Sequence, residues 1–169
     1  GTPVDCVKFA DVVLKDFKAD IVFSSINDGG NFGKSFWYSG TIAAAVEATL
    51  NGYRSAAISM WNNRSAERPF DDVANLVKPL IPWLLEQIQV PDTFWNINVP
   101  NQPGKDIKGF RLTKLGQAFY RSKFLEPAEK DGKMYYTYAG GEFVRAEEDI
   151  ESDDHALALG FASISLLNL

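Results

Sequence analysis

The chain has 169 residues, 46% apolar and 23% charged, and a net charge of −5. That is globular composition, large enough for one domain with a real core; it excludes disorder, and the lack of any Lys/Arg cluster excludes a nucleic-acid polymer as partner. No stretch approaches the roughly 20 apolar residues of a membrane helix, and the one cysteine, Cys6, excludes an internal disulfide and fits a reducing, cytoplasmic compartment.

The predicted elements alternate. Thr2-Pro3-Val4-Asp5 reads as a helix start, with a threonine cap, proline at the first helical position and an acid three residues after the cap. Cys6, Phe9, Ala10, Val13 and Phe17 follow at helical spacing, which predicts a helix over residues 3–17 and a buried structural thiol. Ile21-Val22-Phe23 is a short β-rich run suited to a buried parallel strand. Residues 24–38 have no period and contain Gly29, Gly30 and Gly33, so they read as a loop. Residues 39–50 form an alanine-rich helix stopped by Gly52. A strand over residues 55–60, a helical stretch over 70–89 divided at Pro79 and Pro82, and a strand over 94–99 ended by Pro100 follow. This order predicts an α/β fold, a Rossmann-like parallel sheet with crossover helices.

Beyond residue 104 the pattern becomes β-rich. Short strands are expected at 109–114 and 118–124, and a hairpin arm is expected around Met134 to Tyr138 with Asp131-Gly132 as its turn. A short helix over 153–159 stopped by Gly160 and a final strand over 161–167 close the chain. The organisation is a single domain over 1–169, with 1–104 as core and 105–169 as β-rich appendage and closing strand.

Ligands of open parallel sheets bind beyond the carboxyl ends of the strands. The loop from Asn27 to Thr41 takes that place, and the chemistry is assigned to it. Asn27 offers a neutral oxygen for a hard cation, and Asn31 can donate to a phosphoryl oxygen. Gly29 and Gly30 let backbone approach a ligand. Ser39, Gly40 and Thr41 stand at a helix start, where free N–H groups and the dipole favour an anion. Asn and Gly are also ordinary turn residues, and Ser39 also serves as a plain cap. A P-loop is rejected: Gly33-Lys34-Ser35 has Asp28 where the first glycine belongs, and Phe36-Trp37-Tyr38 intervene before the helix.

The segments Ser24-Ser25-Ile26-Asn27-Asp28-Gly29-Gly30-Asn31 and Tyr38-Ser39-Gly40-Thr41, with Ala43-Ala44-Ala45 after them, resemble the SurE family (survival protein E) of metal-dependent nucleoside monophosphate phosphatases. The resemblance extends to Gly1-Thr2-Pro3-Val4-Asp5-Cys6-Val7, Asn96-Ile97-Asn98-Val99-Pro100, Lys108-Gly109, Thr113-Lys114-Leu115-Gly116 and Gly160-Phe161-Ala162-Ser163-Ile164-Ser165. It implies that Asn27 is a metal ligand and that Asn31 and Ser39 line the phosphate site. Asp153 matches a family aspartate of no assigned role. Ser25 replaces a usual glycine, and the family's N-terminal strand with paired aspartates and its C-terminal segment are absent from these residues.

The expected function is therefore a metal-dependent phosphomonoester hydrolase acting on nucleoside monophosphates, with Mg²⁺ or Mn²⁺ as cofactor. One His and one Cys exclude a His/Cys zinc site. The alternative is a non-catalytic nucleotide- or phosphate-binding module, because the paired aspartates are missing. The resemblance also implies a homodimer or homotetramer formed through the arm. His155 and the acidic run Glu147-Glu148-Asp149 are expected to have packing or surface roles, and Asn96 and Asn98 structural hydrogen bonds.

Overall fold

The computed structural model of the chain describes residues 1–14, 16, 18–62, 69–87, 90–145 and 149–169. Phe17, residues 88–89 and Glu147-Glu148 of the acidic run lie outside them.

The first helix, α1, spans Pro3–Val13. Its start is as expected: Asp5 Oδ2 accepts from the Thr2 N–H at 2.6 Å and from the Thr2 hydroxyl at 3.1 Å. It ends four residues earlier than the spacing suggested, with β-branched Val12 and Val13 as its last two residues and Leu14 leaving helical ψ. Cys6 is exposed, which corrects the expectation of a buried thiol. The reason is that α1 buries no residue: it leans on the next helix and leaves Phe9, Val12 and Val13 uncovered. Cys6, Val7, Ala10 and Leu14 of this region line an open apolar groove with Ile21, Val22 and Tyr53.

Strand β1 covers Val22–Asp28, helix α2 Gly40–Leu50 and strand β2 Ser55–Trp61. Helices α3 (Phe70–Val77) and α4 (Ile81–Glu86) follow, separated by a 3-10 turn over Lys78–Leu80 where Pro79 prevents a continuous helix. Strand β3 is Thr93–Pro100 and β4 is Phe110–Leu112. The polar stretch Ser24–Asp28, expected in a loop, belongs to β1, because Asn27 and Asp28 pair with Ser59 and Met60 of β2. Ladder pairing overrides composition here.

The arm consists of β5 (Phe119–Phe124), β6 (Ala128–Lys130), β7 (Lys133–Tyr135) and β8 (Tyr138–Val144). Asp131 and Gly132 turn between β6 and β7, both at positive φ, as a two-residue hairpin requires. The return strand β8, which pairs antiparallel with β5, was not legible in the sequence. Helix α5 is Asp153–Ala158 and the closing strand β9 is Ala162–Asn168.

The main sheet has the order β1-β2-β3-β9-β4. The first three strands are parallel, as expected, whereas β9 runs antiparallel to β3 and parallel to β4, so the whole sheet is mixed. Alternation along the strands divides the interior. Ile58, Met60, Ile97, Val99 and Ile164 meet Val73, Val77 and Leu84 on the α3/α4 face. Ala57 and Phe94 meet Ile42, Ala45 and Phe36 on the α2 face. Ser55, Ser59, Asn96, Asn98, Ser163 and Ser165 are buried as well, and they make the polar counterpart of the first core.

Candidate functional site

The site is built at the carboxyl end of β1. Asn27 is half-buried there, and its Nδ2 donates to Gly29 O at 2.5 Å, which commits the amide nitrogen and leaves Oδ1 as the acceptor a cation would use. Gly29 N–H donates to Met60 O at 3.0 Å, fastening the start of the loop to β2. Asp28 is exposed beside it.

Asn31 is held on both its main chain and its side chain. Its N–H donates to Asn98 Oδ1 at 2.7 Å, and its C=O accepts from Asn96 Nδ2 at 2.8 Å and Asn98 Nδ2 at 3.2 Å. Its own Nδ2 donates to Ser59 Oγ at 2.7 Å. The residue is only 6% exposed. One of its two amide hydrogens is thus spent on the sheet, and the other is what remains for a phosphoryl oxygen. Asn96 and Asn98 were read as structurally bonded; their partner, the main chain of Asn31, was not.

The loop leaves through Gly33. This glycine has φ +53°, and a Cβ there would stand 2.4 Å from Ala118 O, so both conformation and space require its hydrogen. A 3-10 helix over Gly33–Tyr38 follows, consistent with rejection of a P-loop: Lys34 opens no α-helix and its Nζ lies over the Phe119 ring. Ser39 then caps α2, its Oγ accepting from Ile42 N–H at 3.2 Å. Gly40 is exposed and Thr41 half-buried, with the first-turn amides of an 11-residue helix beside them. The expected phosphate-facing groups therefore all occur between the end of β1 and the first turn of α2.

A second buried constellation was missed. Asp153 is fully buried; its Oδ1 accepts from Gly116 N–H at 2.9 Å and Asp154 N–H at 2.8 Å, and Gly33 N–H reaches both carboxylate oxygens at 3.2–3.3 Å. Burial pushes the Asp153 carboxyl up to about 6, while the backbone N–H bonds pull it back. Arg145 Nε lies 3.4 Å from the neighbouring Asp154 carboxylate. In sequence, Asp153 carried only its match to a family aspartate; Ser152 caps the helix that follows by accepting from His155 N–H. His155 is half-buried.

Oxygen chemistry at Asn27 fits a hard divalent cation in kind. It does not fit in number, since the described residues contain no group of three His, Cys, Asp or Glu side chains placed to hold a metal. No helix among the described residues is long and apolar enough to cross a membrane.

The family described as "Survival protein SurE" matches residues 1–122. A "5'-nucleotidase SurE" of Carboxydothermus hydrogenoformans is 41% identical over 165 residues, covering 98% of this chain and 62% of that protein. A protein of the same description from Symbiobacterium thermophilum is 35% identical over 169 residues, covering 100% and 65%. The crystal structure of SurE protein from Aquifex aeolicus superposes with a TM-score of 0.82 at 31% identity, covering 99% of this chain and 67% of that one. The chain thus spans about two thirds, or slightly less, of the length of these relatives.

Two outcomes follow from the site's geometry. Asn98→Leu leaves the Asn31 N–H without its acceptor in a buried place, so it should cost about 1–3 kcal/mol in urea denaturation. Asp153 has its folded pKa raised above the ordinary 3.8. The stability it contributes is complete below about pH 3.8 and is lost as pH rises through about 6. The advantage of the native chain over Asp153→Asn should therefore shrink, by on the order of 1–3 kcal/mol, between pH 4 and pH 7. Denaturation midpoints of both proteins across that range check it.

Proposed function

The chain belongs to the SurE family, and from that premise we propose that the complete protein is a divalent-metal-dependent phosphomonoester hydrolase of nucleoside monophosphates. The observation that carries this reading is Ser39. Its oxygen accepts the Ile42 N–H, so its own proton is left to donate outward at the start of α2. Cap and ligand donor are compatible roles, because the cap bond fixes the hydroxyl that would meet a phosphoryl oxygen.

The roles of the chain's residues follow from chemistry. Ser39 and the N–H groups of Gly40 and Thr41 stabilise charge on the equatorial phosphoryl oxygens, with the positive end of the α2 dipole behind them. Asn31 adds its remaining amide hydrogen, and its rigidity means no reorganisation accompanies the reaction. Gly29 keeps a side chain away from the Asn27 amide, and Gly30 leaves room for the Phe32 ring while its backbone stays open to a ligand. Asn27 Oδ1 would hold Mg²⁺ or Mn²⁺ together with oxygen ligands from elsewhere in a protein of family length. A bound cation of this kind supplies Lewis-acid polarisation of the phosphoryl group and a more acidic water. Among the described residues Asn27 is the one such ligand of the expected set, and we read the 169 residues alone as catalytically incomplete.

A non-catalytic nucleotide-binding module is the second reading, favoured by that missing count of carboxylates. The two separate in the complete protein by turnover of a nucleoside 5'-monophosphate. The hydrolase reading expects hydrolysis that stops in excess EDTA and a kcat lowered about 10- to 1000-fold by Ser39→Ala. A purely structural Ser39 would lose about 1 kcal/mol of stability with kcat per folded molecule unchanged.

The arm supports association. Tyr120, Phe124, Met134, Tyr135, Tyr136 and Tyr138 are exposed along two-stranded pieces that are marginal alone. We propose that they are buried between subunits of a homodimer or larger assembly. Sedimentation of the complete protein at micromolar concentration should give at least a dimer, and Tyr136→Glu with Tyr138→Glu should shift it toward monomer.

A further inference from the structure

We propose that Asp153 is a positioning residue: its carboxylate pins Gly33, and through Gly33 the 3-10 helix that leads to Ser39, against residues 116–118. The inference rests on the reading of Asn31 and Ser39 as phosphate-facing groups.

A fully buried carboxylate is costly and persists where its oxygens are well bonded. Asp153 is not needed to cap its own helix, since Ser152 does so. Its outward bonds go instead to two amides distant in sequence, Gly33 and Gly116. Space has been cleared for both. A Cβ on Gly116 would stand 2.8 Å from Asp153 Oδ1 and 2.0 Å from Asp154 Oδ1, and one on Gly33 would strike Ala118 O. Beside the carboxylate, Lys34 N–H donates to Ala118 O at 2.7 Å, and Asp153 N–H donates to Lys114 O at 2.9 Å. The result is one seam joining loop, α5 and the base of the arm.

The loop is therefore pinned twice. Asn96 and Asn98 fix the main chain at Asn31, and Asp153 fixes it at Gly33, with Phe32 alone between the pins. The first pin places Asn31. The second sets the direction in which the 3-10 helix departs, and hence where the Ser39 hydroxyl stands relative to Asn31.

The test uses the complete protein with Asp153→Asn, which keeps the volume but turns one acceptor oxygen into a donor. Amide exchange read by NMR at pH 7 should show protection at Gly33 falling about tenfold or more, while Asn31 N–H keeps its own. With a nucleoside 5'-monophosphate, kcat should fall about tenfold or more and KM should change less than kcat. Unchanged exchange at Gly33 would overturn the clamp. So would an equal loss of protection at Asn31 and along β2 and β3, which marks general destabilisation. Release of Gly33 with kcat unchanged would overturn the positioning role. Should Asp153→Asn fail to fold, Gly116→Ala, which crowds the Asp153 carboxylate together with that of Asp154 and leaves both charges intact, is read the same way. If the unaltered protein hydrolyses no nucleoside monophosphate, the functional reading fails, and the clamp is judged on exchange alone.

Discussion

The main chain of Asn31 lies buried against β3, and the hydrogen bonds that make this possible set the terms for the rest of the molecule. A peptide group taken out of water must have its N–H and C=O satisfied. Neither a helix nor a sheet ladder supplies the partners here; two asparagine side chains on one face of β3 do. Three such bonds contribute roughly 0.5–1.5 kcal/mol each, but leaving them unmade would cost more. Two positions on one face of β3 are in consequence asparagines, where an α/β core would otherwise place aliphatic groups.

Helix α2 meets the same face of the sheet with small residues. Ala44, Ala45 and Ala48 are buried in it, and Ala45 C=O accepts from both Thr49 and Ser55 hydroxyls. Short side chains bring the helix close to β2, so its N-terminus stands near the strand ends with Ser39 at its tip. The larger apolar cluster lies on the other face, where Ile58, Met60, Ile97 and Val99 pack under α3 and α4.

Much of this was legible in the sequence, for identifiable reasons. Strands β2 and β3, helix α2 with its serine cap, and the break at Pro79 follow from local chemistry that tertiary packing reinforces. The candidate loop was legible because glycines, asparagines and a capped helix coincide at one strand end. What was missed depends on partners far away in the chain. Asn27 and Asp28 are strand residues only because β2 pairs with them. Cys6 lies on an apolar stripe that is left largely exposed among the described residues, so periodicity misled. Asp153 matched a family aspartate but received no role, because its partners lie 37 and 120 residues away. Strand β8 carries Gly140 and Gly141, which weaken any local strand signal, and is made by its pairing with β5.

The alternation along β3 gives neighbouring residues unlike freedom to vary. Ile97 and Val99 sit among aliphatic groups that can repack, so swaps of similar volume there are of the kind cores absorb. Asn96 and Asn98, one position away on either side of Ile97, answer to donor and acceptor geometry, and no side chain of equal size reproduces an amide. A drifting sequence would therefore keep every second letter of this strand fixed and shuffle the letters between, a two-beat rhythm set by hydrogen bonding on one face and by volume on the other.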